Sequence, residues 1–381
     1  MLFLNNEDIL KVLTIQDTIG VLEEGHRELA RQDLVARPRI DIYTETDSPE
    51  RFYRWGTMEG SSKGLHRHAI RMKSDVVSWR DHGTSRVEDK YASRPGLYCG
   101  LIFLFDTNNG EPLAIMNEGY LQHLRVGGLA ALGVKYLAKP NASTLGVLGA
   151  GGMAHSHLLA FAAVRGLKQV KVFSPTPANR EKYAKEMSEH LDLEVIPVES
   201  AEEAVRGVDI LSTNTNSMTP VVLGSMLEPG MHVTCVSNEL APDAIGRVDV
   251  AIGGDPQSQL IQGEMIDDSH GFPTYLAGSR HNLEEAMGSA RRRAGLERPG
   301  EVPARPKTFK GRTVSLVDLI AGSGTGRSSD AEITASGGVG GGGGKQGLQF
   351  VTTASIAYDK AKAAGLGREI PTEWFLQDIR N

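Results

Sequence analysis

The segment that most restricts this chain is Gly149-Ala150-Gly151-Gly152-Met153-Ala154. It follows Ser143–Leu148, whose apolar residues have the pattern of a buried strand, and it precedes Leu158–Val164, an apolar stretch read as a helix. In that setting a Gly-x-Gly-x-x-Ala spacing has a mechanism. Gly149 permits the tight turn, Gly151 lets the backbone approach a pyrophosphate, and Ala154 keeps the helix close to the strand. The N–H groups at the helix start add partial positive charge toward an anion. Without the flanking strand and helix, the same spacing would be only a glycine-rich turn. Strand-like runs recur at Gln169–Phe173, Val208–Leu211, His232–Val236 and Val248–Ile252, with helical segments between them. That alternation predicts a parallel sheet covered by helices.

The rest of the chain reads differently. Residues 1–30 place apolar side chains at helical spacing, whereas 31–96 are polar, rich in arginine and without clear period. Leu101–Phe105, the turn Asp106–Gly110 and Pro112–Met116 form a hairpin signal, so the first region is expected to be α+β with an antiparallel sheet. A helix is expected from about Tyr120 to Ala138, ended by Pro140, and another at Ala354–Ala364. Residues 280–313, with Arg291-Arg292-Arg293, read as a surface helix and loop. Residues 337–344 are glycine everywhere except Val339, which predicts a flexible loop or a close backbone approach rather than a strand interior.

Composition narrows the function. The 381 residues suggest two or three domains. The balance of 41 basic against 47 acidic residues argues against nucleic acid as a partner, because neutralising phosphates needs a basic surface. The longest apolar run is far too short to span a bilayer, and the start lacks the basic and apolar pattern of a secretory signal. Two distant cysteines, Cys99 and Cys235, give neither a disulfide framework nor metal-type spacing, and fit a reducing, cytoplasmic compartment. His66 and His68 lack further ligands, so no metal is expected.

The glycine turn reads as a dinucleotide site, and a hydride-transfer site for a small acid needs a cation for the carboxylate and a group that handles a proton. The first region offers Arg37, Arg39, Lys73 and Arg125, each of which, taken singly, reads more readily as a surface charge than as a ligand. After Phe173, the segment Ser174–Arg180 holds no carboxylate for a ribose 2′-hydroxyl. Ser174 and Thr176 could instead donate to a 2′-phosphate and Arg180 could supply charge, so NADP is expected over NAD.

The order of several motifs resembles the ornithine cyclodeaminase/mu-crystallin family. They are Pro38-Arg39, Ile70-Arg71-Met72-Lys73, Gly110-Glu111-Pro112-Leu113-Ala114-Ile115-Met116, Leu124-Arg125-Val126-Gly127-Gly128 and the glycine turn. Gly326–Thr334 and Ala361–Gly367 fit as well. The resemblance implies an α/β fold: a Rossmann-type, doubly wound parallel-sheet domain (126–314) inserted into a discontinuous α+β substrate and dimerisation domain (1–125 plus 315–381). It implies that Arg39, Lys73 and Arg125 bind the substrate, that Lys73 also moves a proton, and that Glu59 matches a carboxylate near the substrate. The cofactor set would be Gly149, Gly151, Gly152, Met153, Ser174, Thr176, Arg180, Thr213, Asn214 and Val236. Asn238 falls where deaminating members carry an aspartate, with Glu239 one residue away. An amide cannot take that proton, so the expected activity is NAD(P)-dependent reduction of an imine beside a carboxylate, by a homodimer acting on an amino or imino acid. Cyclodeamination with tightly held NAD is the alternative, and non-enzymatic ligand binding is a third reading.

Overall fold

The structure, a computed structural model, describes residues 1–378 apart from 32, 83–84, 238, 254–264, 268–273, 278–308 and 341–345. Asn238 and the arginine cluster at 291–293 therefore lie outside the described residues. Along the chain the strands are β1 (Leu2–Leu4), β2 (Leu34–Glu45), β3 (Arg51–Ser62), β4 (Arg67–His82), β5 (Ser85–Tyr91), β6 (Cys99–Asp106) and β7 (Pro112–Asn117). Then come β8 (Thr144–Leu148), β9 (Gln169–Phe173), β10 (Glu194–Pro197), β11 (Ile210–Thr213), β12 (His232–Cys235) and β13 (Val250–Gly253). The last are β14 (Met265–Asp267), β15 (Thr274–Ala277), β16 (Arg312–Val314), β17 (Thr334–Gly340) and β18 (Arg368–Glu369). The principal helices are α1 (Asn6–Val12), α2 (Ile15–Ala30), α3 (Gly119–Leu137), α4 (Gly152–Val164), α5 (Pro177–Leu191), α6 (Ala201–Val205), α7 (Pro242–Ile245), α8 (Leu316–Ala321) and α9 (Gln346–Ala363).

Local interactions fix the helix starts. Asn5 and Thr14 open α1 and α2 with reciprocal capping boxes to Asp8 and Asp17, satisfying N–H groups that a helix start leaves free. The hairpin β6–β7 and helix α3 stand at their expected places.

Two sheets organise the chain. The first runs β14-β15-β2-β3-β4-β6-β7-β1-β18, with β5 also on β4. It is mainly antiparallel, but β1 lies parallel to β7 and β15 parallel to β2. The second is parallel and runs β10-β9-β8-β11-β12-β17-β13-β16. Helices α2, α3 and α9 pack together beside the first sheet, and α3 also packs on α4 of the second. One apolar core therefore runs from Leu4 and Ile102 through Leu132 to Val147 and Val170.

Three findings differ from the sequence reading. Residues 31–96 hold four strands instead of aperiodic polar chain; their alternation is hidden because polar side chains occupy the buried face. The sheets also do not divide at residues 126 and 314. Strands β14 and β15 join the first sheet, and β17 enters the second between β12 and β13. Finally, part of the glycine run is a strand interior. Gly337 has φ +72°, and a Cβ there would collide with the Cys235 carbonyl oxygen, so the close backbone approach is real and only glycine fits it.

Candidate active site

The glycine turn joins β8 to α4 as expected. Gly149 has φ +101°, and a Cβ there would lie 2.5 Å from the Asn214 carbonyl oxygen. A side chain is thus excluded both by conformation and by the neighbouring β11 loop. Gly151 caps α4 without a side-chain hydrogen bond, and a Cβ on it would meet nothing within 4 Å. The start of α4 therefore faces open space with its N–H groups uncapped, as an anion cradle requires. Gly151 and Gly152 are exposed and Met153 is half-buried, its carbonyl taken by Ser156 Oγ and by the His157 ring. These residues fit a dinucleotide.

The residues that would meet the far end of that dinucleotide follow β9. Ser174 is buried and Thr176 is exposed. Arg180 is only 5% exposed; it donates to the Ser174 carbonyl oxygen at 3.1 Å and pairs with Glu199. Its charge already has an anion.

At the ends of β11 and β12, Glu239 is fully buried. It accepts from Thr213 Oγ1 at 2.6 Å, Thr215 N at 2.6 Å and Thr215 Oγ1 at 2.7 Å, and from Val236 N at 3.1 Å and Ser237 N at 3.2 Å. Five donors saturate both oxygens, so Glu239 braces the two loops and is not the mobile acid that a one-residue shift from Asn238 would need. Asn214 donates to Ser212 Oγ at 2.9 Å, and its buried Oδ1 accepts nothing among the described residues. Val236 is 41% exposed beside them.

Arg39 and Lys73, expected from sequence to meet the substrate, lie among the charged groups of the first sheet. Pairing sets Asp41 opposite Gly56 and Gly56 opposite Lys73, so their side chains share one face. Lys73 is 6% exposed, with Nζ 3.3 Å from Asp41 and 4.0 Å from Asp75. Arg39 donates to Asp41 through Nε at 2.8 Å and through its outer nitrogen. Arg54 pairs with Asp75 at 3.2 Å and with Glu88 at 3.1 Å. Burial, followed by the charges of Arg39 and Arg54, pushes Lys73 well below an ordinary lysine, against the pull of Asp41 and Asp75. Burial would raise Asp41, but Arg39 and Lys73 outweigh it and hold the carboxyl at about 2.

Helix α3 brings Arg125 and Gln122, and α9 brings Gln349 and Phe350. Arg125 donates to Gln122 Oε1 at 2.7 Å and to Gln349 Oε1 at 2.8 Å, and lies over the Phe350 ring at 4.8 Å. Among the described residues no carboxylate pairs with it. Burial, and then the nearby Arg71 and Arg39, make its charge costly. Arg71 also lies over Phe350 but is satisfied by Glu118 through two nitrogens.

Arg39, Lys73 and Arg125 thus belong to one electrostatic group, with Arg39 acting on both others. Glu59 does not join it. It pairs with Arg37 on the other face of β3, because its position alternates with Met58 and Gly60. Asp41, Asp75, Arg54 and Arg71 were not singled out from sequence. Only their placement among apolar residues of β2, β3 and β4 could have pointed to them. No metal-ligand cluster is present among the described residues.

Comparison with known proteins follows the same lines. The chain is 28% identical over 275 residues to a Delta(1)-pyrroline-2-carboxylate reductase of Bacillus cereus, covering 71% of this chain and 74% of that protein. Its fold is similar to that of the Thermococcus litoralis Delta(1)-pyrroline-2-carboxylate reductase in complex with NADH and L-proline, with a TM-score of 0.70 at 23% identity over 97% of this chain and all of the other. An archaeal alanine dehydrogenase dimer with bound NAD superposes with a TM-score of 0.68 at 21% identity, covering 97% and 98% of the two chains. The model of the ornithine cyclodeaminase/mu-crystallin family matches residues 87–364, and the chain belongs to that family.

Proposed function

We propose that this chain is a nicotinamide-dependent reductase of a C=N bond beside a carboxylate, working on an imino acid and amino acid pair. Arg125 carries the reading. It is a buried guanidinium held by amide oxygens and without an ion-pair partner among the described residues. A carboxylate would neutralise it through the paired geometry that arginine favours. Phe350 fixes the plane of the guanidinium and keeps water from that face. Lys73, pushed below its usual range by burial, sits where it can give a proton to the nitrogen of the reduced bond. The nicotinamide of a dinucleotide whose pyrophosphate rests on the Gly149–Ala154 turn would supply the hydride. Much of the acceleration would come from holding the acid in one orientation.

The test is loss of reduced-nicotinamide absorbance when purified protein meets Δ1-pyrroline-2-carboxylate and related cyclic imino acids. No oxidation with any of them overturns the reading. Ammonia release from a diamino acid without net cofactor change would establish the lyase alternative. Ser174 and Thr176, with no acid after β9, support a preference for NADPH; Arg180 could join only by leaving Glu199. A lower KM for NADH than for NADPH overturns that preference. The face of the first sheet turned away from α9 leaves Ile42 40% exposed and Trp55, Ile70 and Met72 half-buried. We read it as the contact of a homodimer. Light scattering on an eluting column peak should give twice the chain mass, and a monomer would refute it. No helix among the described residues is long and apolar enough to cross a membrane.

A further inference from the structure

One buried carboxylate holds Arg39 and Lys73 on the buried face of the first sheet. Asp41 is 2% exposed; it accepts from Arg39 through two nitrogens, one at 2.8 Å, and from Lys73 at 3.3 Å. The contact is built into the register of three strands. Gly56 stands between Asp41 and Lys73, and a Cβ on it would collide with Asp41 Oδ1 and lie 2.5 Å from Lys73 Cε. The missing side chain is the space in which the two charged groups meet. Asp75 stands farther off, at 4.0 Å from Lys73, and Arg54 engages it at 3.2 Å.

We propose that Asp41 is a positioning residue: its carboxylate fixes the Lys73 ammonium and takes up one edge of the Arg39 fork, so that the substrate carboxylate goes to Arg125 and the reducible C=N bond points at Lys73. This rests on the reductase reading. Asp41 already answers the charge of Arg39, whereas Arg125 is held by the neutral amide oxygens of Gln122 and Gln349 and, among the described residues, by no carboxylate.

The groups facing Lys73 are Arg39 and Asp41 on β2, Arg54 on β3, Asp75 on β4 and, through Arg54, Glu88 on β5. Removing the Asp41 charge leaves the arginines opposed by less negative charge, so Lys73 gives up its proton at lower pH. The experiment is the pH profile of kcat and KM for imino-acid reduction in the wild type, Asp41→Asn and Asp41→Glu, with NADH binding followed by fluorescence. In Asp41→Asn the alkaline limb of kcat should move down by about 1 pH unit or more, with NADH affinity unchanged. Asp41→Glu keeps the charge on a longer stem. It should hold the limb near the wild-type position and raise KM several-fold. An active Asp41→Asn with the wild-type limb overturns the inference and leaves the reductase reading intact. So does Asp41→Glu with wild-type KM, which serves if Asp41→Asn does not fold. A wild type inert on every imine overturns both.

Discussion

Arg125 and Gly56 show how single residues set this site. A guanidinium buried against amide oxygens and an aromatic ring is poorly compensated until an anion arrives. Arg125→Lys keeps a charge but loses the fork. We expect it to lower kcat/KM for the imino acid by about 10- to 100-fold, the equivalent of losing one charge-assisted hydrogen bond, while NADH binding stays unchanged. Steady-state kinetics beside a fluorescence titration check this. Gly56→Ala forces a methyl group against Asp41 and Lys73, and overpacking of this kind costs about 1–3 kcal/mol. A lower urea midpoint at unchanged slope is the expected result. Arg39, Lys73 and Arg125 could be singled out as candidates because they lie in motifs whose order along the chain resembles that of the family. Asp41, Arg54, Asp75 and Arg71 were not. A charged residue buried on a sheet and one on a solvated face have the same sequence pattern, and only pairing across strands separates them.

Elements were legible where their demands are local. The turn between β8 and α4 needs glycine at fixed offsets, and α3 needs an apolar stripe and a stop, so both stood out. Strands β2 to β5 place ion pairs where apolar residues usually alternate, which erased the period-two signal. Strand β17 was hidden by its glycines, whose small size serves the approach to Cys235. Gly337→Ala should therefore lower stability by more than the ~1 kcal/mol that relieves or adds ordinary glycine freedom, read from thermal unfolding. Arg165 closes the end of α3 in a comparable way, donating to the carbonyl oxygens of Val134 at 2.7 Å, Lys135 at 3.0 Å and Ala138 at 3.2 Å. Arg165→Ala removes this donor, leaving Val134 its bond from the Ala138 N–H, and should cost about 1–3 kcal/mol without changing KM for the imino acid.

The molecule as a whole should be sensitive to mild acid. Burial holds His157 down at about 4 and His232 at about 3, against 6.5 for a free imidazole. Both are neutral in the native protein, and both gain a proton on unfolding below pH 6.5. Their contribution is complete above that pH and is lost as pH falls toward their native values. Two such groups give a slope of about 2.7 kcal/mol per pH unit between roughly pH 6 and 4.5. Asp41, held at about 2 against 3.8, adds a further loss only below about pH 4. Urea unfolding at a series of pH values checks the slope, and His157→Gln should reduce it by about half.

Strand β17, which separates β12 from β13 and bonds to both, also sets an order of events during synthesis. A nascent chain can pair β8, β9, β10, β11 and β12 as soon as they leave the ribosome, and so can shape its glycine cradle early. Strands β13 and β16 follow in the chain, but their place in the sheet opens only after residues 334–340 have emerged. Until then the side of β12 that β17 will cover stays unpaired, and a translation pause just before that point would prolong its exposure to chaperones or to neighbouring chains.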